Sequence, residues 1–224
     1  IYGLFGYHFL LFLAFRTAPA VQANLVNYLW PLLIVVLAPL FHKNSRLHLR
    51  QVLAAMAGLT GAVLVMTNGQ AIATDFNLGY LAALASAFIW ATYSLMTQRV
   101  AAFHTAAIGY FGFVSGILAL LCHFLLETPV ALNLSDAGLL TWMGLGPLGL
   151  AFYLWDAALK NGNAQHIGLL SFLTPLCSTL LLLIDRQEAL TSLVAWAGVL
   201  IVGGAWLGRP QNANEAANDP QFEI

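Results

Sequence analysis

Val26-Asn27-Tyr28-Leu29-Trp30-Pro31 sets an amide, a phenol, an indole and a proline inside one apolar run from Val21 to Phe41. A run of about 20 apolar residues is what a helix needs to cross a bilayer core. Pro31 removes one helical hydrogen bond and its ring crowds the preceding turn, so the helix is most easily deformed where the polar and aromatic groups stand. Tyr and Trp commonly form belts at the membrane surface. Tyr28 and Trp30 fall near the middle of the run instead. Interrupted helices near the midplane are where membrane transporters hold their cargo, and that is the reading this segment favours.

Composition extends the reading to the whole chain. Of its 224 residues 60% are hydrophobic and 8% charged, with a mean hydropathy of +0.81, against roughly 25% charged in soluble domains. This is the composition of a polytopic membrane protein lying in a lipid bilayer. A net charge of −1 without a basic patch gives nucleic acid nothing to bind. Cys122 and Cys177 are too few for a disulfide framework and are read as small hydrophobes. Neither a metal-binding spacing nor a cofactor motif is present.

Eight apolar spans follow: Ile1 to Phe15, Val21 to Phe41, Leu49 to Met66, Leu78 to Met96, Ala106 to Leu126, Ala137 to Leu159, Ile167 to Ile184 and Leu190 to Leu207. The first lacks the basic leader of a secretory signal, and the chain is expected to begin inside a membrane helix. Counted from side to side, Lys43, Arg46, Arg50, Arg99, Lys160 and Arg209 gather at one face, with Arg16 and Arg186 at the other. Positive charge prefers the cytoplasm, which puts the first face and the polar tail 209–224 inside; the tail's Asn, Ala, Asp and Glu read as disordered.

The chain also repeats itself. A slide of 144 residues lays Phe9-Leu10 on Tyr153-Leu154, Arg16 on Lys160, and Tyr28-Leu29-Trp30-Pro31-Leu32 on Phe172-Leu173-Thr174-Pro175-Leu176; Gly61-Ala62 meets Gly204-Ala205 after a one-residue gap. Matched helices run in opposite directions by the topology above, the mark of an inverted repeat. Chance likeness between leucine-rich helices is the competing account. If the repeat unit has five helices, the expected organisation is a partial first repeat over 1–70 (helices 3–5 of a ten-helix parent), a second over 78–208 (helices 6–10), and the tail.

Motifs for catalysis are missing. Gly144-Leu145-Gly146-Pro147-Leu148-Gly149 matches the dinucleotide-binding pattern in letters only, because that pattern needs a strand before it; it is read as helix flexibility and close packing. Gly112 and Gly116 form a small-residue packing face. Asp156 and Lys160, spaced i, i+4 near a span end, are expected to neutralise each other, the alternative being a cytoplasmic gate. Glu127 is expected to be solvated and His123 to have no role.

What remains is a set of polar and aromatic groups in span interiors: His8 beside Tyr7, then Asn27, Tyr28 and Trp30, then Trp90 and Tyr93 on one helical face, with Ser171 and Phe172 as repeat mates of Asn27 and Tyr28. An imidazole can serve a carboxylate or an ammonium group, or merely bond a neighbouring backbone. Tyr153 and Trp155 do not share a face, so at most one of them can line a cavity. Walls of Tyr28, Trp30, Trp90 and His8 suit a flat apolar or cationic ligand; ordinary aromatic packing is the competing account.

Val26-Asn27-Tyr28-Leu29-Trp30-Pro31, together with Phe88-Ile89-Trp90-Ala91-Thr92-Tyr93, resembles the bacterial aromatic amino acid exporters of the drug/metabolite transporter (EamA-type) superfamily. The likeness covers essentially the whole chain from the family's third helix onward. It implies an all-α protein of the bacterial inner membrane, built of two inverted five-helix repeats with both ends cytoplasmic, and a central cavity with His8, Tyr28, Trp30 and Trp90 at matching positions. Asp156 and His8 depart from the residues expected there, which bears on substrate range and proton coupling. The expected activity is export of aromatic and other neutral amino acids by alternating access, without a cofactor and as a monomer. Export of cationic drugs or other metabolites by the same fold, an intramembrane enzyme and a non-transporting assembly subunit are the alternatives.

Overall fold

The computed structural model describes residues 1–42, 45–70, 77–97, 99, 103–128 and 130–210; Lys43 and most of the tail, 211–224, lie outside them. A π-helical turn, Tyr2–Gly6, leads into α1, Tyr7–Thr17. There follow α2, Ala20–Asn27; α3, Trp30–Phe41; α4, Leu49–Thr67; α5, Leu78–Thr97; and α6, Ala107–Leu126. The rest comprises α7, Leu134–Leu145; a second π-helical turn, Gly146–Leu150; α8, Ala151–Asn161; α9, Ala164–Leu170; α10, Leu173–Asp185; and α11, Ser192–Leu207. Six of these helices or helix pairs are long and apolar enough to cross a membrane, and Ser192–Leu207 is a shorter apolar helix. All eight expected spans are helical. The protein is an all-α, multi-pass membrane protein.

The internal repeat is carried by the backbone more plainly than by the side chains. The π-helical turns Tyr2–Gly6 and Gly146–Leu150, and the helices Tyr7–Thr17 and Ala151–Asn161 behind them, correspond residue for residue at the expected slide. The span with Pro31 breaks at Tyr28-Leu29, and the span with Pro175 breaks at Ser171-Phe172. Each break is sealed by short backbone bonds, Leu29 N–H to the Val26 carbonyl (3.1 Å) in one and Phe172 N–H to the Leu169 carbonyl (3.3 Å) in the other. Lipid offers no substitute for those bonds.

The most extensive helix contact joins the two mates α4 and α11. A Cβ on Gly61 would stand 2.8 Å from the Ala197 carbonyl oxygen, and one on Gly204 would stand 2.7 Å from the Ala54 carbonyl oxygen. Gly61 mates with Gly204 and Ala54 with Ala197, so the contact is reciprocal, as a two-fold relation requires. At the far end Gly69, in the left-handed region (φ +71°), touches Leu193. Contacts that advance along α4 therefore retreat along α11: the helices are antiparallel, as inverted repeats demand. Ala54, Ala55, Ala62 and Ala197 let the backbones approach, and Val35, Leu169, Phe172, Leu176, Val194 and Ile201 fill the layer around them.

The two ends of the bundle are fastened differently. At the end holding Arg50, Pro39 inside α3 cannot donate to the Val35 carbonyl. Buried Gln165 supplies the missing donor through Nε2 (3.1 Å), and its Oε1 accepts from Gln51 Nε2 and Ser45 Oγ, both at 3.2 Å. At the repeat slide Gln165 falls on Val21, whose apolar side chain cannot make the matching bonds, and the second repeat has no proline at the place matching Pro39. Nearby, Asp156 (2% exposed) pairs with Lys160 at 2.7 Å and accepts from Thr105 Oγ1 at 2.7 Å, while Lys160 also donates to the Phe103 carbonyl at 2.8 Å.

At the opposite end Arg16 and His123 both reach Glu127, each at 2.7 Å, tying α1 to α6. Glu127 is thus partnered, and His123 has a structural role that its position in sequence did not announce. The His123 hydrogen bond and then the Arg16 charge hold the Glu127 carboxyl below its usual range. A lowered folded-state value means that the clasp is present at neutral pH and is lost as pH falls through that value.

Gly112 and Gly116 correct the sequence reading, since a Cβ on either would meet nothing within 4 Å. They are not a packing face among the described residues. Gly144 and Gly146 are equally open, and only Gly149 is close-packed, against the Gly144 carbonyl. This contrast gives a test. Gly61→Leu or Gly204→Leu overpacks the α4–α11 seam and lowers stability by about 1–3 kcal/mol, read as a drop in the thermal unfolding midpoint in detergent; Gly116→Leu leaves the midpoint unchanged.

Candidate functional site

Three broken or bulged helices and one straight one converge on a single aromatic cluster. Trp90 projects from α5 and is buried, 7% exposed. Around it stand Tyr7 (ring centroids 4.9 Å apart), Tyr93 (5.5 Å), Phe152 (5.5 Å), Trp155 (5.9 Å) and Trp30 (6.3 Å). Trp30, the first residue of α3 after the break, meets Trp155 edge to face at 5.4 Å. The π-helical turns shift the register of α1 and α8 just before Tyr7 and Phe152; such bulges re-aim side chains and are frequent at functional sites.

The cluster lies where the repeats meet. His8 and its repeat mate Phe152 touch edge to face at 5.6 Å. His8 Nδ1 sits 2.7 Å from the Leu4 carbonyl oxygen, which can only accept, so Nδ1 carries the proton and Nε2 of the neutral ring keeps its lone pair. One side of the cluster is polar. Asn27, 3% exposed, donates through Nδ2 to the Tyr7 hydroxyl (3.3 Å) and accepts through Oδ1 from the Ser86 hydroxyl (3.0 Å). Trp155 Nε1 donates to Ser94 Oγ at 3.1 Å, fixing the indole against α5.

Of the residues singled out from sequence, Tyr7, His8, Asn27, Trp30, Trp90 and Tyr93 are brought together. Tyr28 and Phe172 are not in this aromatic cluster: Tyr28 packs against the α4–α11 layer, where Phe172 is fully buried over Gly58. Ser171 turns its hydroxyl back onto the Ile167 carbonyl at 2.9 Å, so it seals a helix break. Phe152 and Trp155 are cluster members that sequence reasoning did not select. Their i, i+3 spacing was a usable signal. Of the pair Tyr153 and Trp155, the structure turns Trp155 inward and sets Tyr153 against Gly109 of α6. Among the described residues no group of His, Cys, Asp or Glu could hold a metal ion.

The cluster presents indole faces and edges, with an imidazole nitrogen and a phenol–amide pair beside them, groups whose chemistry suits a flat aromatic ring. Its polar link is also structural. Asn27→Ala removes the donor to the Tyr7 phenol, while the Ser86 hydroxyl keeps the Ala83 carbonyl as acceptor at 2.7 Å; a buried polar group left without its partner costs about 1–3 kcal/mol, and the unfolding midpoint of Asn27→Ala is expected below that of the unaltered protein.

Comparison with known proteins identifies the family. The profile of the EamA-like transporter family matches residues 1–67 and 77–208. An aromatic amino acid exporter, YddG, of Ancylobacter novellus is 41% identical over 206 residues, 91% of this chain and 71% of the relative. The exporter of the same name from Escherichia coli K12 is 30% identical over 203 residues, 84% of this chain and 66% of the relative, just under two thirds of its length. A crystal structure with 41% identity superposes with a TM-score of 0.84, covering 92% of this chain and 72% of that one. With both halves matched by one profile, the chain belongs to the EamA-like transporter family.

Proposed function

We propose that this protein exports aromatic, and with lower preference other neutral, amino acids across the bacterial inner membrane by alternating access, its C-terminus in the cytoplasm. The observation that carries the reading is the cluster of Trp30, Trp90 and Trp155 on helices of both repeats, with His8, Tyr7 and Asn27 at one side. An aromatic ring gains from edge and face contacts with indoles, while the amino acid's ammonium and carboxylate need an acceptor and a donor. His8 Nε2 supplies the first and the Tyr7 hydroxyl the second. Names borne by relatives at 41% and 30% identity point the same way.

Alternating access draws support from the unequal ends. The Gln165 bonds to Gln51, Ser45 and the Val35 carbonyl bind the Arg50 end, and its repeat mate Val21 has no polar side chain with which to match them at the other. A bundle fastened by a buried polar network at one end and by the exposed Glu127 clasp at the other is what one state of a rocking mechanism looks like. Cationic drugs are a poorer cargo, because Asp156, a carboxylate beside the cluster, is paired with Lys160.

Efflux of labelled phenylalanine from cells or vesicles tests the site. Trp30→Ala or Trp90→Ala abolishes efflux while the protein stays folded; unchanged efflux in both refutes it. Gln165→Ala tests the latch. In a background free of Cys122 and Cys177, a cysteine at buried Ser94 reacts faster with an impermeant maleimide added from the cytoplasmic side when Gln165 is absent; an unaltered rate removes Gln165 from the gate.

A further inference from the structure

At the end of the bundle where α4 begins and α11 finishes, two guanidinium groups share one hollow. Arg50, in the first turn of α4, donates through Nη2 to the Arg209 carbonyl at 2.8 Å. The Arg209 guanidinium lies over the Trp206 indole, 4.5 Å from the ring centre. Together with Leu207 and Pro210 these residues line a surface cavity of about 360 Å³. No carboxylate is among the lining residues, and neither arginine forms an ion pair with another described residue. Two cationic side chains line one hollow with no carboxylate among its walls, so an anion seated there gains from both charges.

Position says which anion. The hollow sits at the ends of the apolar helices Leu49–Thr67 and Ser192–Leu207, the level at which lipid headgroups begin. Trp206 is 63% exposed and Leu49 73% exposed, so an apolar skirt surrounds the charged floor. Free phosphate would use the floor alone, whereas a phospholipid uses both: its phosphodiester between the guanidinium forks, its acyl chains along Trp206, Leu49 and Leu207. Basic pockets between membrane helices at the cytoplasmic surface are known headgroup sites in general. The mates of Arg50 at the opposite bundle end, under the one-residue offset of α4 and α11, is Leu193, so the two-fold relation does not duplicate the site.

We infer that Arg50, Arg209 and Trp206 form a binding site for the headgroup of an anionic phospholipid. A lipid there braces the α4–α11 seam from outside, and this holds whatever the bundle transports. The test uses the purified full chain, stripped of lipid in detergent, with phosphatidylglycerol, phosphatidylcholine and inorganic phosphate as separate probes. Phosphatidylglycerol is expected to raise the thermal unfolding midpoint and to stay bound in native mass spectrometry, and the other two to do neither. The Arg50→Gln, Arg209→Gln double variant loses the phosphatidylglycerol shift. Should that variant fail to fold, Arg209→Gln alone, altering an exposed side chain, retains phosphatidylglycerol roughly ten-fold less, equivalent to ~1.4 kcal/mol. Equal effects of phosphatidylglycerol and phosphatidylcholine, a shift reproduced by inorganic phosphate, or undiminished retention in Arg209→Gln each overturn the assignment.

Discussion

A helix broken inside a membrane must satisfy its own backbone, because hydrocarbon offers neither donors nor acceptors. This chain meets that constraint twice, at Tyr28-Leu29 and at Ser171-Phe172, and both times by tightening the turn so that short backbone bonds close the gap. Much of the architecture follows. The breaks turn Trp30 toward the repeat interface, and Ser171 spends its hydroxyl on the local carbonyl. Pro39 leaves the Val35 carbonyl without a helical donor, and Gln165 from the other repeat fills the place. A side chain recruited to repair a backbone thus becomes a tie between the two halves.

Small residues set how near those halves come. Gly61 and Gly204 each face a backbone carbonyl of the other's helix, and only hydrogen at Cα permits that approach. In lipid, where no hydrophobic force drives helices together, such close van der Waals contact is a principal source of association. The aromatic cluster then occupies the opposite situation, where large rings from α1, α3, α5 and α8 meet edge to face and leave polar atoms of His8, Tyr7 and Asn27 beside them. A tight seam and a loosely polar, aromatic interface thus both join the two repeats within one bundle.

Sequence made the spans and the two proline breaks legible, because apolar length and proline chemistry are local properties. Four of the cluster's aromatic groups could also be chosen, since Trp30, Trp90, Tyr7 and Tyr93 stand where belts and caps give no account of them. What stayed hidden depended on register. The i, i+3 spacing of Phe152 and Trp155 shows that they share a face of α8, but the π-helical turn before α8 decides which way that face points, and a count that assumes a regular helix through Gly146–Leu150 misses it. Gly112 and Gly116 misled for the same reason: spacing announces a smooth face but not whether a neighbour lies against it. Phe172 mates with Tyr28 in sequence, and both pack in the α4–α11 layer, away from the tryptophans.

The central claim is that the tryptophan cluster between the repeats grips an aromatic amino acid during transport. Counterflow in proteoliposomes measures this most directly, because vesicles preloaded with unlabelled phenylalanine accumulate external label only if one site is presented to both sides in turn. The account predicts accumulation of labelled phenylalanine and tryptophan, and little of arginine or glutamate. Absence of phenylalanine counterflow by a folded, correctly inserted protein, or equal exchange of all four amino acids, would contradict it.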